Sequence, residues 1–199
     1  MAQTAPPPPL ARLAPYCDLV AAAAGATELP FWLLAAIVEQ ESSFEPRARS
    51  TAGAIGLMQI LPATARDWGQ DPARLWDPGA NVQWGARIFA DGCRVFQQEA
   101  PNQRLQFALA AYKGGIGTVL AAQDLAAERH LDPHLWISLN HVLPEVRLPG
   151  GRHPDYRRIQ HYVRAIWRRF QAWSLLAPPC DLRAGADNAV FLIEEPKNA

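Results

Sequence analysis

The segment IVEQESSFEPRARSTAGAIGLMQILPATA, residues 37–65, sets a carboxylate at the end of an apolar run and follows it with glycines. Leu34, Ile37 and Glu41 stand at i, i+3 and i+7, so they share one helix face. Phe31, Trp32, Leu33, Ala35, Ala36 and Val38 fill the other faces, and a helix apolar all round belongs inside a domain. Glu41 therefore marks the point where a core helix meets its surroundings. Poor hydration and the negative end of the helix dipole both disfavour a carboxylate anion there. A carboxyl that keeps its proton is what general acid catalysis requires. Glu39 lies about 200° around the helix from Glu41 and cannot share its face. On the helix alone, a solvated charge at a helix end is the better account of Glu41, because helix ends often carry such charges.

Gly53 and Gly56 allow tight turns and close approach of the backbone to a ligand. Gln59 is a polar amide among Leu57, Met58 and Ile60, and it needs a hydrogen-bond partner from the backbone or from a sugar-like ligand. A second element, ALAAYKGGIGTV, ends an apolar helix with Tyr112 and continues into Gly114, Gly115 and Gly117. That tyrosine can hydrogen-bond a reacting group, or it can be a core ring beside a glycine cap.

The elements that must position these residues read as helices. Expected spans are Leu10–Gly25, Phe31–Ser42 opened by Pro30, short pieces at Leu57–Gln59 and Pro62–Trp68, then Asn81–Gln98, Gln103–Tyr112 and Gly117–Arg129. Asp132 ahead of Pro133 reads as the start of a further helix. A last helix, Asp155–Trp173, has an apolar stripe through Tyr156, Ile159, Tyr162, Val163, Ile166, Trp167 and Phe170. Arg157, Arg158, Arg164, Arg168 and Arg169 lie largely off that stripe, as a solvated face. Only AVFLIEE near the C-terminus alternates like a strand. The class is all-α with little or no β-structure. The organisation expected is a Pro-rich lead-in at 1–9, a catalytic domain at 10–175 and an irregular tail at 176–199.

The chain has 199 residues, with 19 basic and 19 acidic side chains. That balance argues against a nucleic-acid binder, which carries a basic excess. No apolar run reaches the roughly 18 residues needed to span a bilayer, and the N-terminus lacks the pattern of a secretory signal. Cys17, Cys93 and Cys180 are expected as buried free thiols, with one bridge and a spare thiol as the alternative. His130 and His134 are four apart, but Pro133 between them denies a shared helix face for a metal. GGIG lacks the preceding strand of a nucleotide loop.

Taken together, these blocks resemble the SLT family of lytic transglycosylases, whose fold is similar to goose-type lysozyme. The resemblance rests on Glu41-Ser42, Phe44, Pro46, Gly53-Ala54-Ile55-Gly56-Leu57-Met58-Gln59 and Pro62-Ala63-Thr64-Ala65. It continues through Asp77-Pro78, Asn81, Val82 and Gly85, then Ala111-Tyr112-Lys113-Gly114-Gly115, and closes on Tyr162-Val163. It spans about residues 31–170. Lys113 stands where the family usually has Asn at a sugar-side hydrogen bond. Arg158-Ile159 stands where it often has Glu-Thr.

The resemblance implies a lysozyme-like helical domain with a substrate groove, cleaving the β-1,4 bond between N-acetylmuramic acid and N-acetylglucosamine. Glu41 would act as general acid and then as base, leaving a 1,6-anhydro ring. Ordinary glycosidases need two carboxylates at a set separation; this route needs one that switches roles, although Asp67, Asp71 and Asp77 stay open as partners. Ser50 and Gln59 would hydrogen-bond the saccharide, with Lys113 and Tyr162 also on the substrate. Tyr112 would contact Glu41 or the sugar. Met58, Leu57 and Leu61 would form an apolar floor, and Ser42 and Gly56 would support the site. No metal and no organic cofactor are implied. The expected partner is the glycan strand of peptidoglycan, met by a monomer at the cell wall, in the periplasm or outside the cell. A muramidase of the same fold and an inactive peptidoglycan-binding module are the alternatives.

Overall fold

The computed structural model describes residues 8–178 and 180, with Pro8 and Pro9 described by their backbone alone. Helices dominate: α1 Pro8–Leu13, α2 Cys17–Thr27, α3 Phe31–Ser42, α4 Pro62–Asp67, α5 Pro78–Val95, α6 Pro101–Gly114, α7 Ile116–Glu128, α8 Trp136–Val142 and α9 Tyr156–Trp173. Among the described residues, extended pairing is limited to isolated bridges of Ile55 with Arg49 and with Ile60. The expected all-α class is the class observed. AVFLIEE lies outside the described residues.

The chain forms two compact units. One takes the described residues up to Arg87 and from Arg169 onward; the other is Ile88–Arg168. In the first unit, α3 is the centre. Every residue from Phe31 to Val38 is at most 1% exposed, and burying a large apolar side chain contributes roughly 1.5–3 kcal/mol. Pro30 sets the entry with its fixed φ, and its carbonyl accepts from the Leu33 and Leu34 amides. Trp32 packs edge-on to Phe31 and Trp173 and donates its indole N–H to the Leu176 carbonyl at 3.2 Å. Arg169 leaves the solvated set, donating to Gln40 Oε1 at 2.7 Å.

The second unit packs Phe96 edge-on to Phe107, with Leu109, Val119, Ala122 and Leu139 buried. On α9, Ile159, Tyr162, Val163 and Ile166 of the expected stripe are buried, whereas Tyr156 and Trp167 are half-buried. Glu99 is buried and accepts from Gln123 Nε2 at 3.0 Å, with His134 Nδ1 at 2.9 Å.

Several expected boundaries are corrected, each for a local reason. The helix expected at Leu10–Gly25 breaks around Pro15, which has no N–H to give, into α1, a 3₁₀ turn at Ala14–Tyr16 and α2. It then runs through Gly25 and stops at Glu28, whose φ of 56° is left-handed. Leu57–Gln59 is a tight turn, not a helical piece, because Gly56 and Gln59 both adopt positive φ. Asp132 starts no helix. Its carboxylate accepts from the His134 amide at 2.8 Å, Leu135 is extended, and α8 begins at Trp136, whose amide donates to Gln103 Oε1 at 2.6 Å.

The cysteines also differ from the expectation of free thiols. Cys17 and Cys180 form a disulfide with a Cα–Cα distance of 6.0 Å, and Cys93 is the buried free thiol. Burial pushes Cys93 up from 9.0 to about 12, against a smaller lowering by the Arg104 guanidinium. Thiol titration of the unreduced, unfolded chain should find one reactive group, rising to three after reduction. In the folded protein at pH 8 that group should react far more slowly than in urea. The folded state keeps the thiol proton where the unfolded chain releases it, so this contribution to stability is complete below pH 9.0 and fades as pH rises toward about 12. Replacing Cys17 and Cys180 with serine should lower stability by about 2–5 kcal/mol in urea titrations.

Candidate active site

The sequence-selected residues fall into two groups, one in each unit. The first group comprises the end of α3 and the loop that follows it. Glu41 lies in the last turn of that helix and is half-buried. The helix stops because Ser43 turns left-handed at φ 53° and its amide closes on the Glu39 carbonyl at 2.9 Å. Phe44 follows at φ 62° and is buried. Ser42 donates its hydroxyl back to the Val38 carbonyl, one turn earlier, at 3.1 Å. Two successive non-glycine residues at positive φ cost of order 1–3 kcal/mol each. Nothing in the sequence signals that strain, because neither residue type favours it.

The loop after Pro46 is built by hydrogen bonds around one side chain. Asn81 on α5 is completely buried. Its Oδ1 accepts from the Met58 amide at 2.8 Å, and its Nδ2 donates to the carbonyls of Ile55 and Leu75, each at 2.9 Å. All the polar capacity of the amide nitrogen is spent on backbone. Gly56 lies against this amide: at φ 80°, a Cβ there would sit 2.8 Å from the Leu75 carbonyl oxygen. Gly56 therefore has no room for a side chain. Gly85 on α5 is similarly filled, since a Cβ would come within 2.6 Å of Met58 Cβ. Asn81 and Gly85 appear in the sequence only as members of a pattern; their tasks become visible in the folded chain.

Gln59, at φ 51°, donates Nε2 to the Ala48 carbonyl at 3.1 Å and to the Gly56 carbonyl at 3.0 Å. The backbone therefore supplies the partner its amide nitrogen needs, and Oε1 is what the residue can offer a ligand hydroxyl. Ser50 closes its own turn: Oγ accepts from the Ala54 amide at 3.0 Å, and the Ser50 amide donates to the Ala54 carbonyl at 3.0 Å. Its hydroxyl proton remains to be given. Leu57 and Met58 are wholly buried and hold the loop from beneath, whereas Leu61 is 40% exposed. Asp71 and Asp77 have other employment. Asp71 Oδ1 accepts from the Ala73 amide, and Asp77 Oδ1 from the Ala80 amide at the start of α5.

The second group lies at the end of α6. Tyr112 is half-buried, with its ring edge-on to Phe89 at 6.1 Å. Lys113 places Nζ 4.7 Å over the ring of Tyr162. Tyr162 is only 2% exposed, so its ring supports Lys113 from below. Gly114 packs against Ile159, leaving no room for a side chain, and Gly115 reverses the chain at φ 86°.

The sequence profile of the transglycosylase SLT domain matches residues 18–134. The chain belongs to the transglycosylase SLT family. The match takes in Glu41, the Asn81-bound loop and Tyr112-Lys113; Tyr162 and α9 lie beyond it. Relatives of this SLT chain include the membrane-bound lytic murein transglycosylase F of Desulfosudis oleivorans, 37% identical over 137 residues, covering 68% of this chain and 30% of that protein. The protein of the same name from Shewanella loihica is 40% identical over 134 residues, covering 67% and 27%. Among solved structures, the 70 kDa soluble lytic transglycosylase of Escherichia coli aligns with a TM-score of 0.64 at 24% identity, over 86% of this chain and 26% of that one. An inactive mutant of the lytic transglycosylase Slt of Pseudomonas aeruginosa gives 0.58 at 23%, over 82% and 25%. These structures show that the SLT chain has the helical fold of that group. The chain spans under a third of the length of these relatives.

Asn81→Ala should strand the Met58 amide and the Leu75 carbonyl and leave the Ile55 carbonyl with the Ile60 amide as its partner. The expected loss is about 2–4 kcal/mol in urea denaturation. Gln59→Ala, with two part-buried bonds, should cost visibly less.

Proposed function

We propose that this chain is a lytic transglycosylase acting on peptidoglycan, with Glu41 as acid and then base. The observation that carries the reading is the setting of Glu41. A half-buried carboxyl lies in the last turn of a helix whose first eight residues, Phe31–Val38, are wholly in the core, and the loop further along the chain is fixed by a buried amide. Protonation of the glycosidic oxygen then breaks the bond between N-acetylmuramic acid and N-acetylglucosamine. The resulting Glu41 carboxylate takes the proton of the sugar's own 6-hydroxyl, whose oxygen closes onto the anomeric carbon. No water enters the products.

The distribution of carboxylates supports this one-acid route. Asp71 and Asp77 cap their own backbone turns, Glu45 accepts from the Arg47 amide, and Asp67 is exposed. Ser50 would give its hydroxyl proton and Gln59 Oε1 would accept from sugar hydroxyls. Among the described residues no helix is long and apolar enough to cross a membrane. In this reading the enzyme meets glycan strands at the wall, as a monomer and without a cofactor.

Glu41→Gln keeps the size of the side chain and removes the transferable proton. It should abolish clearing of purified sacculi, a fall of at least about 100-fold, in keeping with the usual worth of an acid-base group. Mass spectra of wild-type digests should show anhydro ends, lighter by one water than hydrolysed ends. Clearing that survives the substitution would remove Glu41 from the mechanism, and water-containing ends would make the enzyme a muramidase.

A further inference from the structure

Helix α9 presents opposite chemistry on its two sides. Ile159, Tyr162, Val163 and Ile166 are buried on one side. Arg157, His161, Arg164 and Arg168 follow one another at steps of four, three and four residues. At about 100° per residue they fall within about 60° of one another on the other side. All four are exposed. Arg158 and Arg169 lie to the flanks: Arg158 lines a basic cleft with Lys113 and Arg152, and Arg169 is bound to Gln40. From Tyr156 to Trp173 the helix holds no Asp or Glu. Asp155, just ahead of it, turns its Oδ1 to the Arg158 amide. Elsewhere exposed arginines meet acids, as Arg94 does Asp91 and Arg129 does Glu145. Among the described residues, no carboxylate pairs with Arg157, Arg164 or Arg168.

A chain with 19 basic and 19 acidic side chains has thus gathered an uncompensated line of cations on one helix. The line spans about 16 Å, since a helix rises about 1.5 Å per residue. Like charges one turn apart destabilise a helix unless an anionic partner offsets them. The shape of the face selects that partner. It is the outside of a helix, a ridge, and cannot enclose a small anion. Single-stranded nucleic acid is held in a basic groove with aromatic side chains under its bases, and the four outer positions hold no aromatic ring. A flat surface touches a ridge along one line, and the cations occupy that line. None of the four is apolar, so the contact is one of charge with head groups and not of insertion.

We propose that the outer face of α9 is an electrostatic docking surface for an anionic phospholipid bilayer. Arg157, Arg164 and Arg168 face the anionic head groups, with His161 between them. The inference goes beyond the cleavage of glycan strands and does not depend on it. It requires no membrane-spanning segment. Each arginine near an anionic leaflet is worth about a fivefold gain in partitioning, so three give on the order of a hundredfold. Such adsorption is reversible and weakens as salt screens the charges.

The test is co-sedimentation of the full chain with vesicles of phosphatidylcholine containing about a quarter phosphatidylglycerol, which supplies the anionic surface. Wild-type protein should partition onto them at about 0.05 M salt, leave them at about 0.5 M, and ignore vesicles of phosphatidylcholine alone. Arg157→Gln with Arg164→Gln and Arg168→Gln should weaken partitioning on the order of a hundredfold, and Arg164→Gln alone about fivefold. The same three positions changed to lysine should keep most of the binding, because a surface potential reads charge and not the guanidinium fork. Changing Arg12, Arg47 and Arg66 to glutamine removes the same net charge from other exposed positions and should alter binding by less than about twofold. All the substituted side chains are exposed, and unchanged thermal melts will verify that the variants fold. No binding of wild type to the anionic vesicles, equal binding to neutral ones, no loss in the α9 glutamine variant, or an equal loss in the Arg12 variant would each overturn the proposal. Binding to a short DNA duplex as tight as to the vesicles would overturn it too, by assigning the face to nucleic acid. Glu41→Gln should bind vesicles as wild type does, so failure of the cleavage mechanism and failure of this surface are read in separate assays.

Discussion

The first unit depends on how one buried amide is satisfied. Asn81 brings together three backbone groups that are far apart in sequence: the Met58 amide and the carbonyls of Ile55 and Leu75. A loop that turns back on itself inside a protein has polar backbone with no helix or sheet to absorb it, and each unpaired group would cost on the order of 1–3 kcal/mol. One side chain carrying both an acceptor and two donors meets this need without bringing in a charge. Its presence excludes a side chain at Gly56, and the Met58 packing that results excludes one at Gly85. The two glycines, the asparagine and the methionine form one solution to a backbone problem.

That solution has a consequence for chemistry. A loop stiffened in this way holds Gln59 and Ser50 with most of their polar atoms already committed to backbone. Each retains a limited offer to a ligand: Oε1 from the glutamine, a hydroxyl proton from the serine. Prior commitment reduces the rotamer freedom lost on binding, which is the general advantage of preorganisation. The strain at Ser43, Phe44 and Gln59 fits the same picture. Left-handed non-glycine residues persist only where their surroundings enforce them, and here the surroundings are a core helix and a buried amide.

The second unit uses different means. Its polar ties are between side chains of neighbouring helices and turns, such as Glu99 with Gln123 and His134, and Gln103 with the start of α8. Lys113 sits on the buried ring of Tyr162, a cation on an aromatic face. The residues at which the sequence departs from the SLT pattern, Lys113 and Arg158, both line the basic cleft of this unit. An asparagine replaced by lysine, and Glu-Thr by Arg-Ile, look unrelated when read along the chain.

Several features were legible without coordinates. Local propensity and periodicity sufficed for α3, α4 and most of α9, because an apolar helix with a proline at its entry has few other ways to bury itself. The type and order of the motif residues singled out Glu41, Gln59 and Tyr112 as candidates, because an amide in an apolar run needs a partner and an acid that closes a core helix stands out from its neighbours. The folded chain alone decided what each polar atom touches. It turned Gln59's nitrogen to the Ala48 carbonyl, joined Cys17 to Cys180, and gave Asn81 its place. Those outcomes depend on groups that meet across long stretches of sequence, where hydrogen-bond satisfaction is settled by packing and no local pattern records the partner.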